Sequence, residues 1–276
     1  KPINTFTVGF HKHKNLNEFD YAQRVAKIYG TAHHEIMIDE ADMIMYLKDL
    51  VHTQDEPIAD WVCIPLYYLS HLVAKNGVSV VQVGEGADEQ FCGYENYMAY
   101  LRLYERYWSP YRKLVPSSIQ SILSKYALNL SKSIPGLAVY ADIFDRASRN
   151  REHFWGGATI FWETMKSDLV LRRGVTNLKI IPIIRASGVV PDRFNTWDSY
   201  DVVKYYCDHF DREFPEADVL ARMTYLEMKL RLPELLLMRV DKITMSNSIE
   251  GRVPFLDHEL VNFTSDIPQI WKTRNG

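Results

Sequence analysis

The residues best suited to chemistry lie in the run Val83-Gly84-Glu85-Gly86-Ala87-Asp88-Glu89. Gly84 and Gly86 let a ligand approach the backbone closely, and exposed amides at the start of the helix that follows favour an anion such as phosphate. Three carboxylates, Glu85, Asp88 and Glu89, crowd the same turn. Carboxylates beside phosphate-binding amides repel an anion unless a cation intervenes, which points to Mg²⁺ held by one or two of them together with nucleotide oxygens. The same spacing also suits a plain acidic helix start, with Asp88 and Glu89 complementing the helix dipole. A second run, Asp241 to Asp257, sets Glu250, Arg252 and Asp257 among apolar residues, where ionisable groups are normally paired. It reads as an amphipathic helix to Ser248, a glycine-containing turn to Pro254, and a further helix capped by Asp257. An internal Arg–carboxylate brace is the alternative role for Arg252 and Asp257.

The elements that must position these residues follow from periodicity. Ile3 to Phe10 alternates and is rich in β-branched and aromatic residues, as a strand requires. Asn17 or Asp20 caps a helix with Phe19, Ala22, Val25, Ala26 and Tyr29 on one face and Gly30 as its C′ residue. His33 to Ile38 reads as a second strand and Glu40 to Val51 as a second helix. After a turn at Asp55-Glu56-Pro57, a third helix runs from Ile64 to Lys75 and stops at Asn76-Gly77. Val78 to Val83 is a short, almost wholly apolar strand of the kind buried on both faces of a parallel sheet. Strands alternating with helices mean right-handed βαβ units, in which ligands bind beyond the carboxyl ends of the strands. Residues 84–89 fall there.

From about Tyr94 the strand signals disappear and helical periodicity takes over. Leu114 to Pro135 and Leu171 to Trp197, interrupted by Ser, Pro and Asn, read as loops and short helices. Val219, Leu220, Met223, Leu226 and Leu230 form a stripe that faces a core. The predicted class is α/β, a parallel-sheet nucleotide-binding core with a largely helical second half. Residues 1–276 are read as one domain, with the core at 1–95 and a mainly helical part at 96–276 that carries the 241–257 segment.

Composition narrows the function. The 276 residues are 47% hydrophobic and 24% charged with a net charge of -3, so the chain folds without staples and gives no electrostatic reason to bind nucleic acid or an anionic membrane. No apolar run approaches the roughly 18 residues that span a bilayer. Cys63, Cys92 and Cys207 are far apart and form no CxxC pair, as expected of reduced thiols in a cytoplasmic protein. His33 and His34 point to opposite faces of a strand, and His11-x-His13 lacks partners at ligand spacing, so zinc is not expected. The absence of Gly-x-Ser-x-Gly argues against a serine nucleophile.

Gly84-Glu85-Gly86-Ala87-Asp88-Glu89 followed by Phe91 and Gly93-Tyr94, together with Met245 through Asp257 and its Glu250-Gly251-Arg252-Val253-Pro254-Phe255-Leu256-Asp257, closely resembles the synthetase domain of glutamine-dependent asparagine synthetases. The first strand, the His33-His34-Glu35 strand and the Asp55-Glu56-Pro57 turn follow in that family's order. The resemblance covers the first 100 residues and roughly the last 60, and implies an adenine nucleotide alpha hydrolase-like fold. It also implies a chemistry, in which ATP adenylates a carboxylate with release of pyrophosphate and ammonia then displaces AMP to form an amide. Val8, placed after the first strand, Val83, Gly84 and Gly86 match nucleotide-contacting positions, and Asp88 matches a magnesium ligand. Glu85 lies where the family binds the acyl-adenylate or nucleotide phosphates. Glu250 matches a carboxylate near the synthetase site, a candidate for deprotonating the attacking nitrogen. Val83 stands where most members have Ser.

The implied partners are a small-molecule carboxylate, aspartate first, and a glutaminase domain in the same full-length chain, with a homodimer compatible. The family's Ser-Gly-Gly-x-Asp-Ser loop and its downstream lysine do not occur in these residues, and the chain opens without Met. The sequence therefore reads as a domain truncated at both ends, expected to fold and to lack synthetase activity alone. Relatives that amidate sugars or peptides or close β-lactam rings supply a second reading, and a non-catalytic scaffold a third.

Overall fold

The computed structural model describes residues 1–12, 17–54, 58, 60–156 and 199–273. His13, the Asp55-Glu56-Pro57 turn and the segment Leu171 to Trp197 lie outside them. The chain divides into two compact units. One comprises Lys1–Ala87 with Leu232–Asn262, the other Asp88–Arg231 with Phe263–Gly276.

In the first unit β1 (Asn4–Phe10), α1 (Phe19–Tyr29), β2 (Ala32–Ile38), α2 (Glu40–Thr53), α3 (Cys63–Lys75) and β3 (Val80–Gln82) follow in the predicted order. Strand β1 pairs in parallel with β2, with Val8 opposite Ile36. Gly30 closes α1 in the left-handed region at φ 63°, as its role at C′ requires. The start of α1 differs from expectation, because Glu18 occupies the cap position without a side-chain bond. Asn17 instead accepts from Phe10 N at 2.7 Å and donates to Phe10 O at 3.0 Å, closing off the end of β1. Helix α2 opens on a capping box in which the Asp39 and Asp42 side chains satisfy each other's backbone N–H groups.

The other half of this unit corrects the sequence reading. Leu232 to Leu237 is a π-helical turn leading into α11 (Met238–Ser246), which ends two residues before the expected Ser248. Glu250–Arg252, read as part of a turn, is the strand β4, paired in parallel with β3. Three residues are too few to show a period of two, and their partner lies far away in the sequence. Gly251 fits the strand against α11, since a Cβ there would lie 3.2 Å from Val240 Cγ1. The expected parallel pairing is present as two two-stranded sheets, β1–β2 and β3–β4. With β4 as its partner, β3 is not buried on both faces, and Val80 is 41% exposed. Tyr46, Cys63, Ile64 and Ile243 form the core here, with Tyr67 stacked on Tyr46 at 3.8 Å.

The second unit is helical: α4 (Ala87–Phe91, which begins at its edge), α5 (Glu95–Leu103), α6 (Ser109–Leu114), α7 (Ser117–Ser133), α8 (Ala138–Ser148), α9 (Ser199–Glu213) and α10 (Val219–Lys229). Helix α12 (His258–Ser265) leads into it and α13 (Gln269–Lys272) lies within it. The segment Leu114 to Pro135, expected to be broken, contains the 17-residue α7. Its serines do not break it because their hydroxyls bond back to helical carbonyls, Ser121 to Ser117 O at 3.0 Å and Ser131 to Leu128 O at 2.9 Å. Pro116 stands at the cap, outside the hydrogen-bonded turns. Leu220, Met223 and Leu226 of the predicted stripe are buried, and Met223 and Leu226 pack with Tyr97, Phe154, Val203 and Cys207. All three cysteines are free thiols.

Candidate functional site

The site in the first unit is built at the carboxyl end of a parallel strand pair. The ladder between β3 and β4 continues one step further, with Val83 N donating to Arg252 O at 2.8 Å. Beyond it the chain turns through Gly84-Glu85-Gly86, closed by Ala87 N donating to Gly84 O at 3.3 Å. Because the strands are parallel, the segment after β4 leaves from the same end, and Leu256 of the 3₁₀ turn Pro254–Leu256 seats against Gly86. Gly86 has φ 92° and is buried. A Cβ there would collide with Leu256 Cδ2, so both the conformation and the packing require glycine. Gly84 is exposed and faces open space, with nothing within 4 Å of where a Cβ would lie. Its backbone is open to a ligand.

Glu85 is held by a residue that the sequence reading overlooked. Arg239 of α11, 7% exposed, donates from Nη2 to Glu85 Oε1 at 3.1 Å and from Nη1 to Asp60 Oδ2 at 2.5 Å. Asp60 in turn accepts from Val62 N at 3.0 Å through its other oxygen, at the start of α3. The loop carboxylate is thereby tied to two helices through one guanidinium, the side chain whose fork suits two such partners. The signal for it was a lone Arg inside the apolar run Leu235-Leu236-Leu237-Met238-Arg239-Val240.

Glu250 is placed elsewhere. It opens β4 opposite Val80, at the other end of the strand pair from Glu85, so three strand residues or about 10 Å separate its level from that of Val83. It is not set in apolar surroundings: its side chain is 57% exposed and accepts from Arg252 Nε at 2.8 Å. The brace predicted for Arg252 is therefore local, while Asp257 caps α12 by accepting from Glu259 N at 3.0 Å. Val8 lies within β1 rather than after it.

In the second unit Asp88 is exposed in the first turn of α4, a helix of only five residues. Its carboxylate lies against Gly93, where a Cβ would collide with Oδ1. Glu89, one of the three carboxylates expected to share a turn, is 1% exposed and accepts from Tyr94 Oη at 2.9 Å. Burial pushes its carboxyl above the usual range. The Arg231 guanidinium stacks 4.6 Å from the Tyr94 ring and donates to buried Glu227 at 3.1 Å, which also accepts from Tyr97 Oη at 3.0 Å. Glu89 thus belongs to a buried network rather than to an ion site. Among the described residues no three His, Cys, Asp or Glu side chains converge as a metal-binding group. A lone exposed carboxylate such as Asp88 is still the donor set that Mg²⁺ takes when phosphate oxygens supply the rest.

A cleft of about 610 Å³ also opens in this unit, lined in part by Tyr104, Trp108, Lys204 and Arg222. Lys204 pairs with Asp208 at 2.6 Å, and Arg222 with Glu152 and Asp211 at 3.2 Å each.

Two small parallel strand pairs set among helices place the chain in the α/β class. The asparagine synthase family model matches residues 1–276, and the chain belongs to that family. It is 30% identical over 276 residues to the glutamine-hydrolyzing asparagine synthetase 1 of Bacillus subtilis strain 168, covering 99% of this chain and 38% of that protein. It is 30% identical over 266 residues to a putative glutamine-hydrolyzing asparagine synthetase of Mycobacterium tuberculosis strain H37Rv, covering 96% of this chain and 35% of that one. Amidase chyE of Penicillium rubens is 24% identical over 288 residues, 98% of this chain and 38% of its own length. The chain therefore spans well under half the length of these relatives. Among the described residues no helix is long and apolar enough to cross a membrane.

Proposed function

We propose that the chain is the synthetase domain of an asparagine-synthetase-like amidotransferase in the cytoplasm, with a nucleotide-binding core in its α/β part. A carboxylate substrate, aspartate first, would be joined to AMP with loss of pyrophosphate from ATP and then to ammonia with loss of AMP. The ammonia would come from glutamine, through a glutaminase domain of the same full-length protein. The observation that carries this reading is Glu85, clamped by Arg239 beside the open backbone of Gly84 at the carboxyl end of β3.

In this reading Val8, Val83, Gly84 and Gly86 line the nucleotide, and Asp88 holds Mg²⁺. Bound Mg²⁺ supplies charge neutralisation for phosphate oxygens. Glu85 presents a fixed negative charge to the acyl-transfer site, and Arg239 keeps it there without reorganisation during the reaction. Of the two carboxylates expected to take part, the geometry favours Glu85. Glu250, at the other end of the strand pair and engaged by Arg252, is the weaker candidate for taking a proton from the nitrogen.

The test is pyrophosphate release by the full-length protein given ATP, aspartate and ammonium. Release with aspartate supports the reading. Release only with another acid shifts the substrate to a sugar or peptide carboxylate, a choice that the amidase-named relative keeps in view. No release with any acid, together with no heat on titration with Mg-ATP, would leave a non-catalytic scaffold.

A further inference from the structure

The cleft of about 610 Å³ in the second unit has the size of a small-molecule site but not the usual lining, which is mostly apolar. Here most of the lining residues are charged, and the aromatic ones are Tyr104, Trp108 and Tyr200. An apolar ligand would strip these charged groups of water and return nothing, so the ligand that fits is polar. The backbone marks the same place. Helix α5 passes into α6 through a π-helical turn, Tyr104–Trp108, whose first and last side chains both line the cleft. Such turns are rare and frequently occur at functional sites.

The charges in the cleft are not evenly matched. Lys204 pairs with Asp208, Arg222 with Glu152 and Asp211, and Arg149 with Asp145 at 3.0 Å. Arg112 and Lys113, side by side in α6, meet no carboxylate among the described residues. The half-buried Arg112 guanidinium donates to two neutral acceptors, Ala147 O and Asn150 Oδ1, which tie α6 to the end of α8. The carbonyl end of α8 offsets part of its charge, and the rest stays on a fork held in place. Lys113, exposed, adds a second positive charge to the same cleft. A fixed guanidinium beside an ammonium is a partner for a phosphate group. Helix α9 brings the exposed carboxylates of Asp208 and Asp211 to the cleft, and these accept hydrogen bonds from hydroxyl groups.

We propose that this cleft binds a phosphorylated sugar, with its phosphate on Arg112 and Lys113, its hydroxyls on Asp208 and Asp211, and its ring against Tyr104 and Trp108. A free phosphate satisfies only the first of these three sets and fills a fraction of the cleft. A neutral sugar leaves the charge of Arg112 and Lys113 unanswered. None of these residues belongs to the loop after β3, and the inference is independent of the proposed reaction.

Titration calorimetry of the full-length protein tests it, with glucose 6-phosphate and ribose 5-phosphate as probes and with glucose and inorganic phosphate as the arms that separate the two parts of the ligand. At least one sugar phosphate should bind with a submillimolar Kd that weakens as salt is raised. Glucose and inorganic phosphate should each bind at least roughly tenfold more weakly. Lys113→Gln, at an exposed position that leaves the circular dichroism spectrum unchanged, should weaken sugar phosphate binding about threefold, and Arg112→Gln at least about tenfold. Because Arg112 also ties α6 to α8, Lys113→Gln decides the matter if Arg112→Gln does not fold. Glu85→Gln should bind the sugar phosphate as the wild type does. No heat with either sugar phosphate would overturn the proposal. Equal binding of inorganic phosphate would overturn it too, by making the cleft a site for an adventitious ion only. Binding that is untouched by Lys113→Gln, or lost in Glu85→Gln, would place the ligand elsewhere and overturn it as well.

Discussion

Arg239 Nη2 lies 3.1 Å from Glu85 Oε1 while its Nη1 lies 2.5 Å from Asp60 Oδ2, so one buried guanidinium fixes both the loop after β3 and the approach to α3. Truncating it leaves two largely buried carboxylates facing each other without a cation. Arg239→Met should lower the free energy of unfolding by about 2–4 kcal/mol, read by urea denaturation, with Arg239→Lys intermediate because a point charge cannot serve both partners. Pyrophosphate release should fall at least tenfold in both variants, since Glu85 is no longer oriented. A fully stable and active Arg239→Met would show that the brace is idle.

Gly86 and Leu256 form a second coupled pair. Gly86→Ala forces a side chain into the left-handed region and against Leu256, and should cost about 2 kcal/mol. In a Leu256→Ala background the steric share disappears and about 1 kcal/mol of backbone strain remains. A double-mutant cycle measures this directly, and strictly additive losses would mean that the two residues do not press on each other.

These two pairs show why the site was only partly legible in the sequence. The loop was visible, because Gly84-Glu85-Gly86 after an apolar strand and before a helix is a local pattern, and β1, β2 and the first three helices were set by periodicity over seven or more residues. The partners of the loop were not visible. Arg239, Asp60 and Leu256 reach it through chain folding that joins distant segments, and the strand β4 that brings Leu256 there is three residues long. Glu89 was misplaced for a related reason: spacing put it in the same turn as Asp88 and Glu85, but the hydroxyl that holds it, from Tyr94, and its burial against the helices of the second unit are tertiary facts. Helix α7 escaped detection because its serines read as breaks.

Asp88 separates a metal role from a structural one. Its side chain is exposed, so Asp88→Asn should change stability by less than about 0.5 kcal/mol. If Asp88 holds Mg²⁺ with nucleotide phosphates, turnover should be abolished in the full-length protein. Activity retained at the wild-type level would remove Asp88 from the reaction.

His153 supplies a pH test that does not depend on catalysis. The ring is 3% exposed, neither nitrogen has a hydrogen-bond partner, and it lies 4.9 Å from the Trp108 ring and 5.6 Å from that of Tyr100. Burial, reinforced by the Arg146 charge, lowers its pKa from 6.5 to about 4. Between those values the unfolded chain binds a proton that the folded chain refuses, so stability rises with pH across this window. His153 contributes fully above pH 6.5, loses its contribution as the pH falls toward 4, and loses no more below that. The loss amounts to about 3 kcal/mol. His153→Phe keeps an aromatic ring in the same pocket and removes the titration. Subtracting its unfolding free energies from those of the wild type, measured at several pH values from 4 to 7.5, should give a curve that climbs through this window and flattens above it. Parallel profiles for the two proteins would show that His153 is protonated equally easily in both states.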